Sequence, residues 1–183
     1  LTDLEHPCQA LADYLTIQEK FGELKGLNLT YIGDGNNVAN SLMLCGSMLG
    51  VNVKICSPEG FEADYEIVEK SKTLSDFGSK ISTCNDPSKA AKDAHVIYTD
   101  VWSSMGQEEE HAKRKEIFEK YKVDQKLLDI ASEEVILLHC LPAHRGEEIT
   151  EEALESKNSY IFDQAENRLH IQQALLAVQL GGL

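Results

Sequence analysis

An apolar run, Val135-Ile136-Leu137-Leu138, passes straight into His139-Cys140-Leu141-Pro142-Ala143. A buried strand with this ending carries an imidazole, a thiol and a Leu-Pro bond to the edge of a sheet. In open α/β sheets that carboxyl edge is where ligands bind. Proline removes a backbone donor and admits a cis bond at small cost, so Leu141-Pro142 can turn the Leu141 carbonyl toward a ligand. A strand end with a free buried cysteine and a turn-forming proline is the competing reading, and these residues alone leave both open.

Three further constellations carry chemistry-bearing side chains. Gly33-Asp34-Gly35-Asn36-Asn37 follows an apolar run and opens a helical pattern, as a dinucleotide-binding loop would. The third glycine of that fingerprint is replaced by Val38, and the next strand ends in Cys56-Ser57 rather than in a ribose-gripping acid. A nicotinamide cofactor is therefore not expected. Asn36 or Asn37 can cap the helix, or offer a donor and an acceptor to an amino acid's α-carboxylate and α-amino groups. Asp100, followed by Val101-Trp102-Ser103-Ser104-Met105-Gly106, sets a carboxylate beside hydroxyls and a glycine, which suits a ligand cation. It lies too far upstream to cap the helical pattern near Glu108. His6-Pro7-Cys8-Gln9 opens the first helix with Pro7 at a favoured first-turn position, and His6 and Gln9 share a face. Arg168, in Asp163-Gln164-Ala165-Glu166-Asn167-Arg168, either pairs with a neighbouring acid or clamps an oxyanion. Spacing alone decides neither of these last two segments.

An alternating pattern of short β-rich runs and helical segments must position these groups. Strands are expected near Leu29–Ile32, Val51–Cys56, Lys80–Thr83, His95–Thr99, Val135–His139 and Tyr160–Phe162. Helices are expected near Asn37–Leu49, Ala63–Phe77, Ser88–Asp93, Glu108–Tyr121 and Asp124–Ile130, with further helical patterns over Pro7–Lys20 and Asn167–Leu180. Such alternation implies a doubly wound, Rossmann-like parallel sheet of about five strands with helices on both faces, in a single domain. Gln107–Lys115, with Glu108-Glu109-Glu110 before Lys113-Arg114-Lys115, reads as a solvated helix start or as a lid. The terminal helices have no strand on their outer side and suit contact with a second domain.

Composition narrows the class. The 183 residues have an ordinary globular balance, 42% hydrophobic and 26% charged. A formal net charge of −14 disfavours nucleic acid and anionic membrane surfaces as partners. No stretch reaches the roughly 18 to 20 unbroken apolar residues of a membrane span. Five widely spaced cysteines without a CxxC pair argue against a disulfide framework and a structural zinc site, so a reducing, cytoplasmic compartment is expected.

Together, the segments His6-Pro7-Cys8-Gln9, Asp34-Gly35-Asn36-Asn37, Asp100-Val101-Trp102-Ser103-Ser104-Met105-Gly106, His139-Cys140-Leu141-Pro142 and Ala165-Glu166-Asn167-Arg168 closely resemble the ornithine carbamoyltransferase family, in the family's order. The Ser-Met-Gly triplet separates ornithine enzymes from aspartate carbamoyltransferases. The family's Ser-Thr-Arg-Thr motif, which sits in an N-terminal carbamoyl phosphate domain, is absent here. The resemblance thus implies an ornithine-binding domain over residues 1–183, with its first and last helices linking to the other half and an isolated chain that is inactive. It also implies no cofactor or metal, and a trimer or larger assembly of the complete enzyme.

The resemblance assigns roles as well. Asn37, Asp100, Ser104 and the Met105 backbone would hold ornithine's α-amino and α-carboxylate groups, while Cys140 and Asp100 would face its δ-amine. His6 and Gln9, helped by Cys140 and the Leu141 carbonyl, would contact the carbamoyl group, and Arg168 would reach carbamoyl phosphate. Cys140 would act either as a general base or as a positioning group. Competing classes are a stand-alone amino-acid-binding module, a carbamoyltransferase for a related amine, and a nucleotide-binding Rossmann domain, the last disfavoured by Val38 and Ser57.

Overall fold

Short runs of apolar and β-branched residues become five strands: β1 (Asn28–Ile32), β2 (Asn52–Cys56), β3 (Ile81–Cys84), β4 (Val96–Thr99) and β5 (Ile136–His139). In the computed structural model, which describes residues 1–102 and 111–182, they pair in parallel in the order β3-β2-β1-β4-β5. Helices α1 (Pro7–Phe21), α2 (Asn37–Leu49), α3 (Tyr65–Thr73), α4 (Pro87–Ala91), α5 (His111–Phe118), α6 (Gln125–Ile130), α7 (Glu151–Leu154) and α8 (Ile161–Gln179) surround the sheet. This is the doubly wound α/β architecture expected from the alternation.

Helix starts follow from short polar side chains that accept the otherwise unpaired first N–H groups. Asn36 caps α2, Asp86 caps α4 ahead of Pro87, Asp124 caps α6 and Thr150 caps α7. Alternation along each strand then divides the core. Leu29, Tyr31, Val53, Ile55, Val96, Tyr98, Ile136 and Leu138 face one cluster, which includes residues of α1, α2 and α3. Ile32, Cys56, Ile97 and Leu137 face the other, with Trp102, Phe118, Leu127, Leu128 and Ala153. Burial on both faces is what a central parallel strand requires.

Two expectations fail. Tyr160–Phe162 is not a strand. Ser159 makes an isolated parallel bridge to Leu137 and Tyr160 N–H donates to the Leu137 carbonyl at 3.0 Å, after which α8 begins. The apolar triplet imitates a strand, yet Phe162 is 65% exposed, and the helix is what carries Gln164 and Asn167 onto α1. The charged run is also not uniformly solvated, because the Arg114 side chain is only 13% exposed and ion-paired. Its acidic part, like the lid expectation, lies outside the described residues. The four-residue α7 had no counterpart among the expected elements.

The chain leaves β1 toward β2 and β3, then returns across the sheet to β4, so β1 and β4 part company at their carboxyl ends. Such a switch point opens a crevice. Gly35 shapes its rim: the Gly35 N–H donates to the Phe61 carbonyl at 2.9 Å, and a Cβ there would overlap the backbone of Glu62 and Ala63. Gly35→Ala is expected to destabilise the fold by about 1–3 kcal/mol through overpacking, measured by urea denaturation. A stability equal to the parent's would show that this approach is slack.

Candidate functional site

Three strand ends meet on one carboxylate. Asp100, the first residue past β4, is 6% exposed. Its Oδ1 accepts the Val101 N–H at 2.8 Å and the Cys140 thiol at 2.9 Å, and its Oδ2 accepts Asn36 Nδ2 at 2.9 Å. Asn36 follows β1 and Cys140 follows β5, so the contacts span the switch point. A desolvated carboxylate is tolerable only with such partners.

Asn36 performs two tasks with one amide. Its Oδ1 accepts from Val38 N–H at 3.0 Å, Ala39 N–H at 3.2 Å and the Tyr31 hydroxyl at 3.3 Å, leaving Nδ2 for Asp100. Asn37, the residue favoured by the family resemblance, instead donates Nδ2 to the Thr2 carbonyl at 2.8 Å. Ser104 and the Met105 backbone lie outside the described residues. Asp34 pairs with Arg114 at 2.6 Å, and the same Nη1 donates to the Trp102 carbonyl at 2.6 Å while the guanidinium lies over Phe61. Burial raises the Asp34 carboxyl, and the Arg114 charge opposes that rise.

At the end of β5 the imidazole and the thiol take different roles. His139 is buried, and its Nδ1 accepts the Leu141 N–H at 2.9 Å, which puts the ring proton on Nε2, 3.1 Å from Glu148 Oε1. That oxygen also accepts the His144 N–H at 2.5 Å. The ring therefore braces the turn that contains the cis Leu141-Pro142 bond, and Cys140 is the group left facing Asp100. Burial first, then the Asp100 carboxylate, push the Cys140 thiol well above its ordinary range. Ligand atoms of Asp100, His139 and Cys140 lie within 4.8 Å of one another, but both imidazole nitrogens are already engaged, so the trio is a poor metal cradle.

The amino-terminal motif approaches from the side. His6 N–H donates to Ser41 Oγ at 2.7 Å, and Gln9 Oε1 accepts Arg168 Nη1 at 2.5 Å. With its amide oxygen facing Arg168, Gln172 lies 2.8 Å from Nη2. Burial and then the Arg168 charge lower the His6 pKa, while Asp100 acts in the opposite sense. His6 is thus a neutral imidazole at pH 7. Arg168 pairs with Gln9 rather than with Asp163 or Glu166. Sequence spacing missed the Asn36 and Arg114 contacts, since both reach across more than sixty residues.

Asn36→Ala is expected to cost about 1–2 kcal/mol from the lost cap alone. Asn36→Asp keeps the cap but sets a second carboxylate against Asp100. Like charges disfavour ionisation, so the folded protein holds more protons than the unfolded chain, and the deficit of this variant grows as pH rises from about 4 to 7. Denaturant titrations across that range check both; a deficit independent of pH would refute the contact.

Residues 25–179 match the sequence model described as aspartate/ornithine carbamoyltransferase, Asp/Orn binding domain. An ornithine carbamoyltransferase of Prochlorococcus marinus is 67% identical over 183 residues, covering 100% of this chain and 58% of that protein. The ornithine carbamoyltransferase of Parasynechococcus marenigrum is 57% identical with the same coverage. Among solved structures, ornithine carbamoyltransferase from Pyrococcus furiosus superposes with a TM-score of 0.94 at 50% identity, over 99% of this chain and 58% of that one. The Gloeobacter violaceus enzyme gives 0.90 at 48% identity, over 97% and 59%. The chain spans 58% of the length of these two curated relatives. With the switch-point site and this similarity along its whole length, the chain belongs to the aspartate/ornithine carbamoyltransferase family, in its Asp/Orn binding domain.

Proposed function

We propose that this chain is the ornithine-binding half of an ornithine carbamoyltransferase, which moves the carbamoyl group of carbamoyl phosphate to the δ-amine of L-ornithine, giving L-citrulline and phosphate. The observation that carries the reading is Asp100, a carboxylate held at the switch point by Asn36, Val101 and Cys140. An anionic hollow attracts an alkylammonium and repels the second carboxylate of an aspartate substrate. The relatives named as ornithine carbamoyltransferases support the same choice.

In this reading Asn37, Asp100, Ser104 and the Met105 backbone hold ornithine's α-groups, and Asp100 and Cys140 face the δ-nitrogen. His6, Gln9 and the Leu141 carbonyl contact the carbamoyl group, and Arg168 reaches its phosphate. Only the neutral amine has a lone pair for attack, and freeing it at pH 7 costs about 4 to 5 kcal/mol for an ammonium of pKa ~10.4. A thiolate beside Asp100 would add a like charge, and the raised Cys140 pKa disfavours it. Cys140 therefore serves as a positioning thiol. As the new C–N bond forms and the carbamoyl C–O bond breaks, the amine proton leaves with phosphate. A neutral His6 donates one N–H to the carbamoyl oxygen as it gains negative charge.

Charge makes the rest of the relatives' length matter. Carbamoyl phosphate is an anion, the chain carries −14, and phosphates are usually gripped by several backbone N–H groups and more than one Arg. We assign those groups to a carbamoyl phosphate domain linked through α1 and α8, and the complete enzyme to a homotrimer or larger assembly. No helix among the described residues is long and apolar enough to cross a membrane. Five free cysteines suit a reducing, cytoplasmic setting, where we place the enzyme.

The direct test is citrulline formation after the chain is fused to a carbamoyl phosphate domain; a folded fusion that binds carbamoyl phosphate but carbamoylates no ornithine would defeat the proposal. The isolated chain is expected to bind carbamoyl phosphate weakly or not at all, and micromolar affinity by calorimetry would contradict the division of labour. In the fusion, Cys140→Ser should raise the Michaelis constant for ornithine and leave the pH profile in place, because the thiol keeps its proton. A Michaelis constant at the parental value would leave Cys140 without a part in the reaction, and a shifted profile would restore it as a base.

A further inference from the structure

We propose that Asp13 is a positioning residue whose carboxylate fixes the amide orientations of Gln9 and Gln164, and through them the placement of Arg168 and of the β5 end that carries Cys140. What those two sides bind rests on the functional reading above; the network itself does not. Asp13 lies on α1 and is fully buried. Its Oδ1 accepts Gln9 Nε2 at 2.8 Å and Gln164 Nε2 at 2.6 Å. An ionised carboxylate is acceptor-only, so any amide that meets it must present its NH2 end. Both glutamine carbonyls consequently turn away from it. That of Gln9 accepts from Arg168 Nη1, and that of Gln164 accepts the His139 N–H at 2.9 Å, one residue before Cys140.

A hydrophobic residue at this place would pack, but it would leave each amide free to turn over. Turned over, Gln9 would present NH2 to the Arg168 guanidinium, and Gln164 would present NH2 to the His139 N–H. Two donors then face each other on both sides of the site. Asp13 thus selects one of two orientations at each glutamine.

The second oxygen, Asp13 Oδ2, is buried without a partner, which leaves a place for a proton. Burial raises the Asp13 carboxyl to about 7, against the lowering effect of the Gln9 and Gln164 bonds. Facing it are Arg168 from α8, Tyr98 from β4, Cys140 beyond β5, Cys45 from α2 and Tyr14 on its own helix. The folded state holds the extra proton between about 4 and 7, so this group's contribution to stability falls as pH rises through that window. Over the same approach to pH 7 its bonds to Gln9 and Gln164 become charge-assisted and stronger.

Two readouts test this. In the 183-residue chain, the side-chain amide resonances of Gln9 and Gln164 should shift together with a midpoint near pH 7, and Asp13→Asn should abolish the shift while retaining an acceptor oxygen. In the enzyme fused to a carbamoyl phosphate domain, Asp13→Asn should match the parent's kcat/KM for carbamoyl phosphate near pH 6 and fall about tenfold below it by pH 8.5, as the charge-assisted bonds are lost. Resonances that do not titrate, or a parent-to-variant ratio that is constant with pH, would overturn the role. Asp13→Ala adds the loss of the acceptor, but if it fails to fold the Asn variant still decides. If the parent fusion forms no citrulline, the functional reading falls while the resonances still judge Asp13.

Discussion

A buried negative charge that must be satisfied from three separate loops organises this molecule's upper edge. Asp100 cannot sit nearly out of solvent unless donors converge on it, and those donors come after β1, β4 and β5. Each loop is therefore constrained by more than its own sequence. The turn after β1 needs Gly35 to pass close to the backbone at Glu62 and Ala63. The turn after β5 needs His139 and Glu148 to hold the backbone at Leu141 and His144. Only with both turns fixed do an amide and a thiol reach the same carboxylate.

A second polar seam ties the ends of the chain together. Asn167 Nδ2 on α8 donates to Thr16 Oγ1 at 3.0 Å and to Glu19 Oε2 at 2.7 Å, both on α1, and Gln164 meets Asp13 one turn earlier. Helices joined by apolar contacts alone can slide by a turn at small cost. Buried amides that must find specific partners set one register, since a slip leaves donors unpaired. The register matters because Gln9 and Arg168 meet across the same pair of helices.

Much of this architecture was legible in the residues. α2 occupies Asn37–Leu49 as expected, because an Asn cap at its start and a left-handed Gly50 at its end are local signals. The strand cores were equally plain, since short apolar runs set between turn and helix-start signals leave little choice, and β1, β4 and β5 are buried on both faces. What could not be read were decisions made by distant partners. Whether Asn36 or Asn37 bonds Asp100 depends on a partner 64 positions away from Asn36. Arg114 looked solvated because its neighbours are charged, yet Asp34 and the Trp102 carbonyl bury it. Tyr160–Phe162 has strand composition, but the needs of Gln164 and Asn167 override local propensity.

On the proposed function, the same carboxylate that draws an ammonium substrate also works against its reaction. Asp100 favours the charged amine, and the charged amine cannot attack. The local groups offer little relief: the Cys140 thiol holds its proton tightly, and His6 is a neutral donor rather than an acid. A site of this kind is good at capture and orientation and poor at proton removal. In the proposed reaction the ammonium must give up one proton to solvent before it attacks, and the phosphate leaving group takes the second as the new C–N bond forms. On the proposed function, division of the chemistry between two bound ligands follows from the charge layout, and a strongly acidic domain can then serve half of an anion-consuming reaction.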